Sequence, residues 1–447
     1  MDFAWDFAKD WRWDLGRRTA RERDGGYDPS VMELLPLASL KAHAVFAGMG
    51  MNSAPRRERG RKRLAQAQAY RELARRTGEV ETLKRAARAA GEAAGEAETD
   101  KRLLAAARLE QAEAVLLAGD LYDEPDALPA AEGWLDLAET AAQKSPDLLL
   151  RVSVLRARTL TRRALGSEFS GLLDAAEAAL DTALTGLGRD PALPILAARG
   201  ALACERFELR LARAVRAKDR VAVTHLVDDI GRLAEQIDPD YLPLSWARAE
   251  SLRGQALAAE GDLSGEAARI ADGAAALAAA AEAAPVDHSP LDRARISHAL
   301  AHAMQSLGEA CDEDSLFDHA LAAFDQAQAA LVMTPELRLA GLAAYDRAAA
   351  EARRAERHGD LPALARAETA FKRRLAENSR APVAWAVAQM ALARIYEIRA
   401  GLTGDRSERV VAALALDEAK SVFAERGLKI LTEQADAGLA RAREGWA

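Results

Sequence analysis

The sequence predicts an all-α protein, and three observations support this. Half of the 447 residues are apolar but only 5% are aromatic, and alanine is the commonest apolar residue. The frequent residues Ala, Leu, Arg and Glu are strong helix formers. No stretch alternates apolar and polar residues over the length of a half-buried strand. Similar helix-like segments also recur along the chain, which favours a repeat array over one large core.

The recurring segments are Ala- and Leu-rich and follow one another at steps of roughly 41 to 50 residues. They begin at Lys62, Arg102, Asp147, Pro194, Leu244, Ala294, Leu337 and Val383. Each is followed by a polar break such as "AEGDLSGE" or "RHGDLPA", in which Gly can end one helix and Asp or Ser can cap the next. A second Ala-rich helix follows, and then a break with proline, such as "KSPD" or "APVDHSP". The predicted unit is therefore helix, turn, helix, turn.

One stretch, Met304 to Val332, shows how the two helices of a unit pack. It reads Met304-x2-Leu307-Gly308-x2-Cys311-x8-Ala320-x3-Phe324-x2-Ala327. Helices that pack closely need small side chains where their backbones meet and large ones beside them. Gly308, Ala320 and Ala327 are the predicted contact positions, and Leu307, Cys311 and Phe324 are predicted to fill the gaps.

This pattern resembles the tetratricopeptide repeat, whose consensus has large, large, small, large residues on helix A and small, large, small residues on helix B. Met304 and Cys311 stand where Trp and Tyr are usual, and Val332 where Pro is common. Other units keep parts of the pattern, although Arg374 replaces the last small residue of its helix B. The partial matches are Ala131-x3-Leu135-x2-Ala138, Ala176-x3-Leu180-x2-Ala183, Ala367-x3-Phe371, Leu392-Ala393-x2-Tyr396 and Ala419-x3-Phe423.

The resemblance implies a right-handed superhelical solenoid of antiparallel helix pairs over residues 61–447, with the A helices lining its concave face. Two alternatives stay open at this point. They are another kind of helical repeat and an irregular Ala-rich bundle, and the recurring breaks argue against the bundle.

Residues 1–60 do not follow the repeat and are predicted to form an N-terminal aromatic helical arm and a linker. The arm holds Trp5, Trp11 and Trp13, and at helical spacing Phe3, Phe7, Trp11 and Leu15 form an apolar stripe. Such a stripe needs a cover. The interpretations are a cap on the first repeats, a docking helix for a partner, and a membrane-surface helix, which the acidic polar face disfavours.

Charge and composition exclude several classes of function. The net charge of −8 argues against general nucleic-acid binding, and the basic run from Arg56 to Arg63 is best interpreted as a solvated helix start. The sequence shows no secretory signal and no stretch apolar enough for stable membrane insertion, so a cytoplasmic location is expected. Cys204 and Cys311 form no disulfide framework, and each is predicted to be a small core residue.

The histidines are the main candidates for a site of chemistry. His298 and His302 lie one helical turn apart, with His288 and His319 near in sequence, and this spacing can hold a metal ion. However, Ala299 stands where a metalloprotease carries its catalytic Glu, and two helical histidines are more often ordinary polar residues. No P-loop and no paired carboxylates stand out. The prediction is therefore no catalytic residues, no cofactor and no metal, with a metal-dependent enzyme kept as a minor alternative.

The resemblance implies a non-catalytic scaffold or adaptor that binds a partner peptide, helix or domain in the concave groove. By the family register, His302, Gln305 and Glu309 should face this groove, as should Arg394 and Glu397 two units on; Trp5, Trp11 and Trp13 are the candidates on the arm. Asn52 and Asn378 do not lie on A helices, which disfavours a clamp for a C-terminal carboxylate. The alternative is a sensory or regulatory repeat module that binds a small ligand or signal peptide and switches a partner. The sequence leaves the partner and the oligomeric state open.

Overall fold

A computed structural model of the chain describes residues 29–97, 99–124, 126–165, 170–188, 193–335, 337–377, 382–426 and 428–444. These residues form nineteen α-helices and one 3-10 turn, with no β-strand among them. The all-α prediction is confirmed, and the helices pack pairwise in sequence order. Trp5, Trp11 and Trp13 lie outside the described residues.

The helices follow one another through short turns. In chain order they are α1 (Pro29–Leu34), α2 (Leu37–Ala47), α3 (Arg56–Thr77), α4 (Val80–Glu96), α5 (Lys101–Tyr122), α6 (Ala127–Ala142), α7 (Pro146–Leu165), α8 (Ser170–Leu187), α9 (Leu193–Ala217), α10 (Arg220–Gln236), α11 (Pro243–Ser264), α12 (Ala267–Ala283), α13 (Pro290–Cys311), α14 (Asp314–Ala330), α15 (Arg338–His358), α16 (Leu361–Glu377), α17 (Pro382–Thr403), α18 (Arg406–Glu425) and α19 (Lys429–Glu444), with the 3-10 turn at Met51–Ser53. From α3 to α18, each odd-numbered helix is the first helix of a pair and each even-numbered helix is the second; α19 follows the last pair and is counted with the first helices.

The predicted start and stop signals are found at the helix ends. Gly359 ends α15 in the left-handed region at φ 66°, and Asp360 caps α16 by accepting the Ala363 N–H at 3.0 Å. Asp100 likewise accepts the Leu103 N–H at the start of α5. The first helices α7, α11, α13 and α17 each begin at a proline. Local sequence therefore determines where most pairs turn.

The chain divides into two compact units. Unit 1 comprises the residues up to Arg253 together with Ala279–Asp292, and unit 2 comprises Gly254–Ala278 together with the residues from Arg293 onward. In unit 1, Ala131, Leu135 and Ala138 are fully buried between α5, α6 and α7. In unit 2, Ala320, Phe324 and Ala327 are fully buried, as their pattern predicts.

One predicted core residue is not in the core. Cys204 is buried within α9, but Cys311 is exposed, and Leu307 is only partly buried. Cys311 is the last residue of α13, and the chain reverses at Asp312, whose φ is 56°. The prediction for Cys311 was wrong because the residue falls at the very end of its helix, where the chain turns and leaves the side chain exposed.

The segment before the first pair is helical from residue 29. Helices α1 and α2 lie in the range predicted to be an arm and linker, and Met32, Leu35 and Leu40 pack against Ala69 and Leu73 of α3. The basic run forms the first turns of α3, where Arg57 contacts Asp100 and Arg59 contacts Glu96. None of the described helices combines the length and apolarity that a bilayer crossing requires.

Candidate partner-binding face

The first helices of successive pairs contact one another. In unit 1 this holds for α3 with α5, α5 with α7, and α7 with α9; in unit 2 it holds for α15 with α17 and α17 with α19. We call the surface that these odd-numbered helices form within one unit its first-helix face. Polar side chains about one repeat apart in sequence pair across this face in both units.

In unit 2 these pairs form a continuous charged row of Glu309, Arg353, Glu356, Arg394 and Glu397. Arg353 donates to Glu309 and to Glu356, each at 3.3 Å. Arg394 then donates to Glu356 at 2.5 Å and to Glu397 at 3.2 Å. The row thus runs from α13 across α15 to α17.

The row brings together the two groups of residues that the family register predicts. Glu309 lies on α13 with Gln305, which donates to it at 3.4 Å, while Arg394 and Glu397 lie on α17. Sequence reasoning missed Arg353 and Glu356 on the intervening helix α15. Their signal is an opposite charge about one repeat away, since Glu309 and Arg353 are 44 residues apart and Glu356 and Arg394 are 38 apart.

Most of the charged row is open to solvent. The side chains of Glu309, Arg353 and Arg394 are 41%, 46% and 41% exposed, whereas that of Glu397 is 10% exposed. An ion pair between exposed side chains contributes about 0–1 kcal/mol. These pairs therefore orient the side chains but cost little to exchange for another contact.

His302 is the remaining predicted residue on α13. It is exposed and contacts Asp346 of α15, beside the charged row. Its Nε2 is 3.2 Å from Oδ2 of Asp346 on α15, and Nε2 of His298 is 2.7 Å from the same oxygen. Of the other two histidines noted in the sequence, His319 is an exposed residue of α14, and His288 belongs to unit 1.

In unit 1 one of the corresponding ion-pair clusters has a buried carboxylate. Glu205 on α9 is fully buried and accepts from Arg158 and Arg162 on α7, each at 2.8 Å. Burial raises the pKa of Glu205, but the positive charges of Arg158, Arg162 and Arg248 outweigh it and hold the pKa at about 2. Such pairs are costly to break, because each loss leaves a buried charge alone. This part of the first-helix face of unit 1 is thus held by contacts that are costly to exchange.

Part of that face is covered by the chain itself. Helix α1 packs against α9, and Arg76 of α3 donates to the carbonyl oxygens of Leu35, at 2.7 Å, and Met32. The Glu33 carboxylate accepts the Ser245 N–H at the start of α11 and the Ser245 hydroxyl at 2.9 Å. His288 Nε2 is 2.8 Å from the Glu33 carbonyl oxygen. A short helix is therefore bound through its backbone carbonyls and one carboxylate.

The carboxylate of Glu33 is buried. Burial raises its pKa, and the bonds from Ser245 and the charge of Arg75 only partly offset this. The N–H groups at a helix start are a natural partner for such a carboxylate.

These features define a helical-repeat protein whose first-helix faces carry paired polar side chains. The fold is similar to that of a Rap protein complexed with competence and sporulation factor, with a TM-score of 0.50 and 11% identity over 86% of this chain and 98% of that chain. The resemblance to tetratricopeptide-like repeats is thereby confirmed for the fold. A circular tandem repeat protein with novel repeat topology aligns over 93% of this chain and 97% of its own at 15% identity, with a TM-score of only 0.26. Neither a protein-family profile nor a curated protein sequence matches the chain.

Proposed function

We propose that this protein is a non-catalytic interaction module that binds a peptide, a helix or a domain of another protein on the first-helix face of unit 2. The charged row carries the proposal. Its side chains alternate in sign across three helices, are largely exposed, and are already held in position by their mutual hydrogen bonds. A partner that offers alternating charges can exchange these weak pairs for its own at little cost.

The way in which α1 is held in unit 1 supports a peptide or helix as the partner. There, an Arg side chain binds two backbone carbonyls and a helix start binds a carboxylate, and neither contact depends on a large apolar pocket. Arg353 and Arg394 offer the same kind of donor on the first-helix face of unit 2. The Rap protein of similar fold is described in a complex with competence and sporulation factor, which also favours a partner of this class.

Site-specific photo-crosslinking tests this proposal. A photoreactive residue at Gln305 should crosslink the partner in a cell extract, because Gln305 adjoins the charged row. The same residue at Leu414, which is 62% exposed on the second helix α18, is the matched control. Crosslinking from Leu414 but not from Gln305 would reject the first-helix face as the binding surface.

Charge reversal provides a second test. Arg353→Glu with Arg394→Glu should abolish the crosslink from Gln305, since the two introduced carboxylates would repel both the neighbouring carboxylates and the partner's acidic groups. Arg156→Glu, at an exposed pair with Asp136 and Glu139 in unit 1, is the control and should leave the crosslink unchanged.

The alternative, a regulatory module that binds a small ligand or signal peptide and switches a partner, is favoured by one observation. Helix α1 occupies a face that a ligand of similar chemistry would use, and polar contacts at Glu33 and Arg76 add to its apolar packing against α3. In this case, Glu33→Gln with Ser245→Ala should loosen α1 and change partner capture. Capture that does not respond to this double variant favours the plain scaffold. A cytoplasmic location and a protein rather than nucleic-acid partner stay predictions from the sequence.

A further inference from the structure

One polar cluster on the first-helix face of unit 2 differs in chemistry from the ion pairs beside it. The adjacent pairs join a carboxylate to an arginine, as in Glu309 with Arg353, but here the carboxylate of Asp346 meets two imidazoles. His298 and His302 are four residues apart on α13, and Asp346 comes from the next first helix, α15. Nitrogen and oxygen lone pairs thus converge from two helices on one point.

The spacing of these atoms fits a metal ion. One ligand atom from each of the three residues can be chosen so that all lie within 4.8 Å of one another. Zinc bonds to nitrogen and oxygen are about 2.0–2.2 Å long, so neighbouring ligands of a tetrahedral ion lie about 3.3 Å apart. The distances from Asp346 Oδ2 to the two Nε2 atoms, 2.7 and 3.2 Å, reach this value after small side-chain rotations.

The surroundings position the two imidazoles. The ring of Phe324, which is fully buried, lies edge-on to both, with ring centroids 5.7 Å from His298 and 5.3 Å from His302. The side chains of His298 and Asp346 are 18% and 21% exposed, whereas that of His302 is 49% exposed. The buried Phe324 ring thus supports the imidazoles on one side, and the exposed His302 leaves the other side accessible to a metal ion.

We propose that His298, His302 and Asp346 bind one divalent first-row transition-metal ion, with zinc the best fit. Two imidazoles and one carboxylate suit zinc and its neighbours in the series, rather than calcium or magnesium, which prefer oxygen ligands. Three protein ligands leave a fourth position for water or for an outside ligand. The ion ties α13 to α15, and this role does not depend on the proposed partner.

Metal titration of the full-length, tag-free chain tests this inference, with zinc chloride and cobalt chloride as the probes. The expected result is one tightly bound zinc per chain and a cobalt spectrum of the four-coordinate type. His302→Gln and Asp346→Asn should each lower the zinc affinity by about tenfold or more. His319→Gln, on the exposed side of α14, is the matched control and should bind zinc like the parent.

Thermal melting gives a second readout that is independent of the titration. Zinc that binds only the folded chain should raise the melting temperature of the parent and of His319→Gln, but not that of His302→Gln. His302 is half exposed, so its replacement is expected to leave the fold intact, which circular dichroism checks. No binding by the parent at micromolar free zinc, or equal binding by all variants, would overturn the proposal.

Discussion

The backbones of Gly254 and Gly273 touch where α11 crosses α12 in unit 2. A Cβ atom on Gly254 would lie 2.7 Å from the carbonyl oxygen of Gly273, and one on Gly273 would lie 2.6 Å from that of Gly254. Neither approach can be relieved by rotating a side chain, because the obstructing atom is backbone in both cases. This pair of helices therefore packs as closely as it does only because both positions lack a side chain.

Gly273→Ala should therefore lower the stability of the protein. Alanine gains up to about 1 kcal/mol in helix propensity, but separating the helices costs about 1–3 kcal/mol and also disturbs Ala258. Gly133→Ala is the control, since nothing lies within 4 Å of its Cβ position and only the propensity gain applies. Chemical denaturation of both variants checks the prediction, which is wrong if Gly273→Ala is as stable as Gly133→Ala.

Ala320→Leu should overpack the contact between α13 and α14. Ala320 is fully buried, and the Phe317 ring already lies 3.0 Å from the Cβ position of Gly308. The expected cost is about 1–3 kcal/mol of unfolding free energy. Leu402→Ala, at an exposed position, should be nearly neutral. A melting temperature of Ala320→Leu equal to that of the parent would show that the register is wrong.

Glu205→Gln should destabilise unit 1. The variant removes the charge that Arg158 and Arg162 share but keeps the shape of the side chain. Hydrogen bonds to charged groups contribute about 1.5–3 kcal/mol, and the arginines are partly exposed, so a loss within this range is expected. Glu139→Gln, which removes an exposed partner of Arg156, should cost about 0–1 kcal/mol in the same denaturation experiment. Equal costs would contradict a special role for the buried pair.

The stability of the chain should fall in acid. Burial alone would raise the pKa values of Glu72 and Glu205, but neighbouring arginines hold both at about 2, below the ordinary 4.5. A lowered folded-state pKa gives stability that is present above pH 4.5 and is lost as the pH falls towards 2. Glu33 acts in the opposite direction, because its pKa is raised. Urea denaturation between pH 5 and pH 2 should show the decline, and Glu205→Gln should make it shallower; an unchanged slope would refute the assignment to Glu205.

The two cysteines should differ in reactivity. Burial raises the pKa of the Cys204 thiol to about 12, so it holds little thiolate at neutral pH, whereas Cys311 is exposed. A thiol reagent should therefore modify one cysteine in the native chain and both after denaturation. Cys311→Ser should abolish the fast reaction, while Cys204→Ser should leave it unchanged. Rapid native labelling of the Cys311→Ser variant would show that Cys204 is accessible.

Much of the fold is predictable from local patterns. The small and large residues at Gly308, Ala320 and Phe324 identify one helix pair, because close packing restricts residue size at each contact position. Arg374 departs from that pattern, and the residue that faces it on the neighbouring helix accounts for the departure. Gly341 on α15 lies under the Arg374 guanidinium, so a Cβ there would overlap it. The small residue of this contact is therefore Gly341 on α15 and not a residue of α16. A consensus that describes one helix at a time does not detect such an exchange.

The candidate site is less predictable, because its residues come from different repeats. His298 and His302 are visible as a pair, but Asp346 lies in another helix and has no local signature. The same holds for Arg353 and Glu356, which complete the charged row. Cys311 shows a different limit, since the repeat pattern does not reveal that the helix ends at this residue and leaves it exposed.

The bond between Glu33 and Ser245 has a consequence for how the chain is made. These residues are 212 apart in sequence, and Glu33 and His288 are 255 apart. At a translation rate of about 5–20 residues per second, α1 leaves the ribosome roughly ten to fifty seconds before these partners exist. Helix α3 covers Met32 and Leu35 early, but the carboxylate of Glu33 must wait for Ser245, until more than half of the chain has been synthesised, and its carbonyl oxygen must wait longer, for His288. Vectorial folding from the N-terminus, which a simple repeat array permits, is therefore incomplete in unit 1 until its last residues emerge.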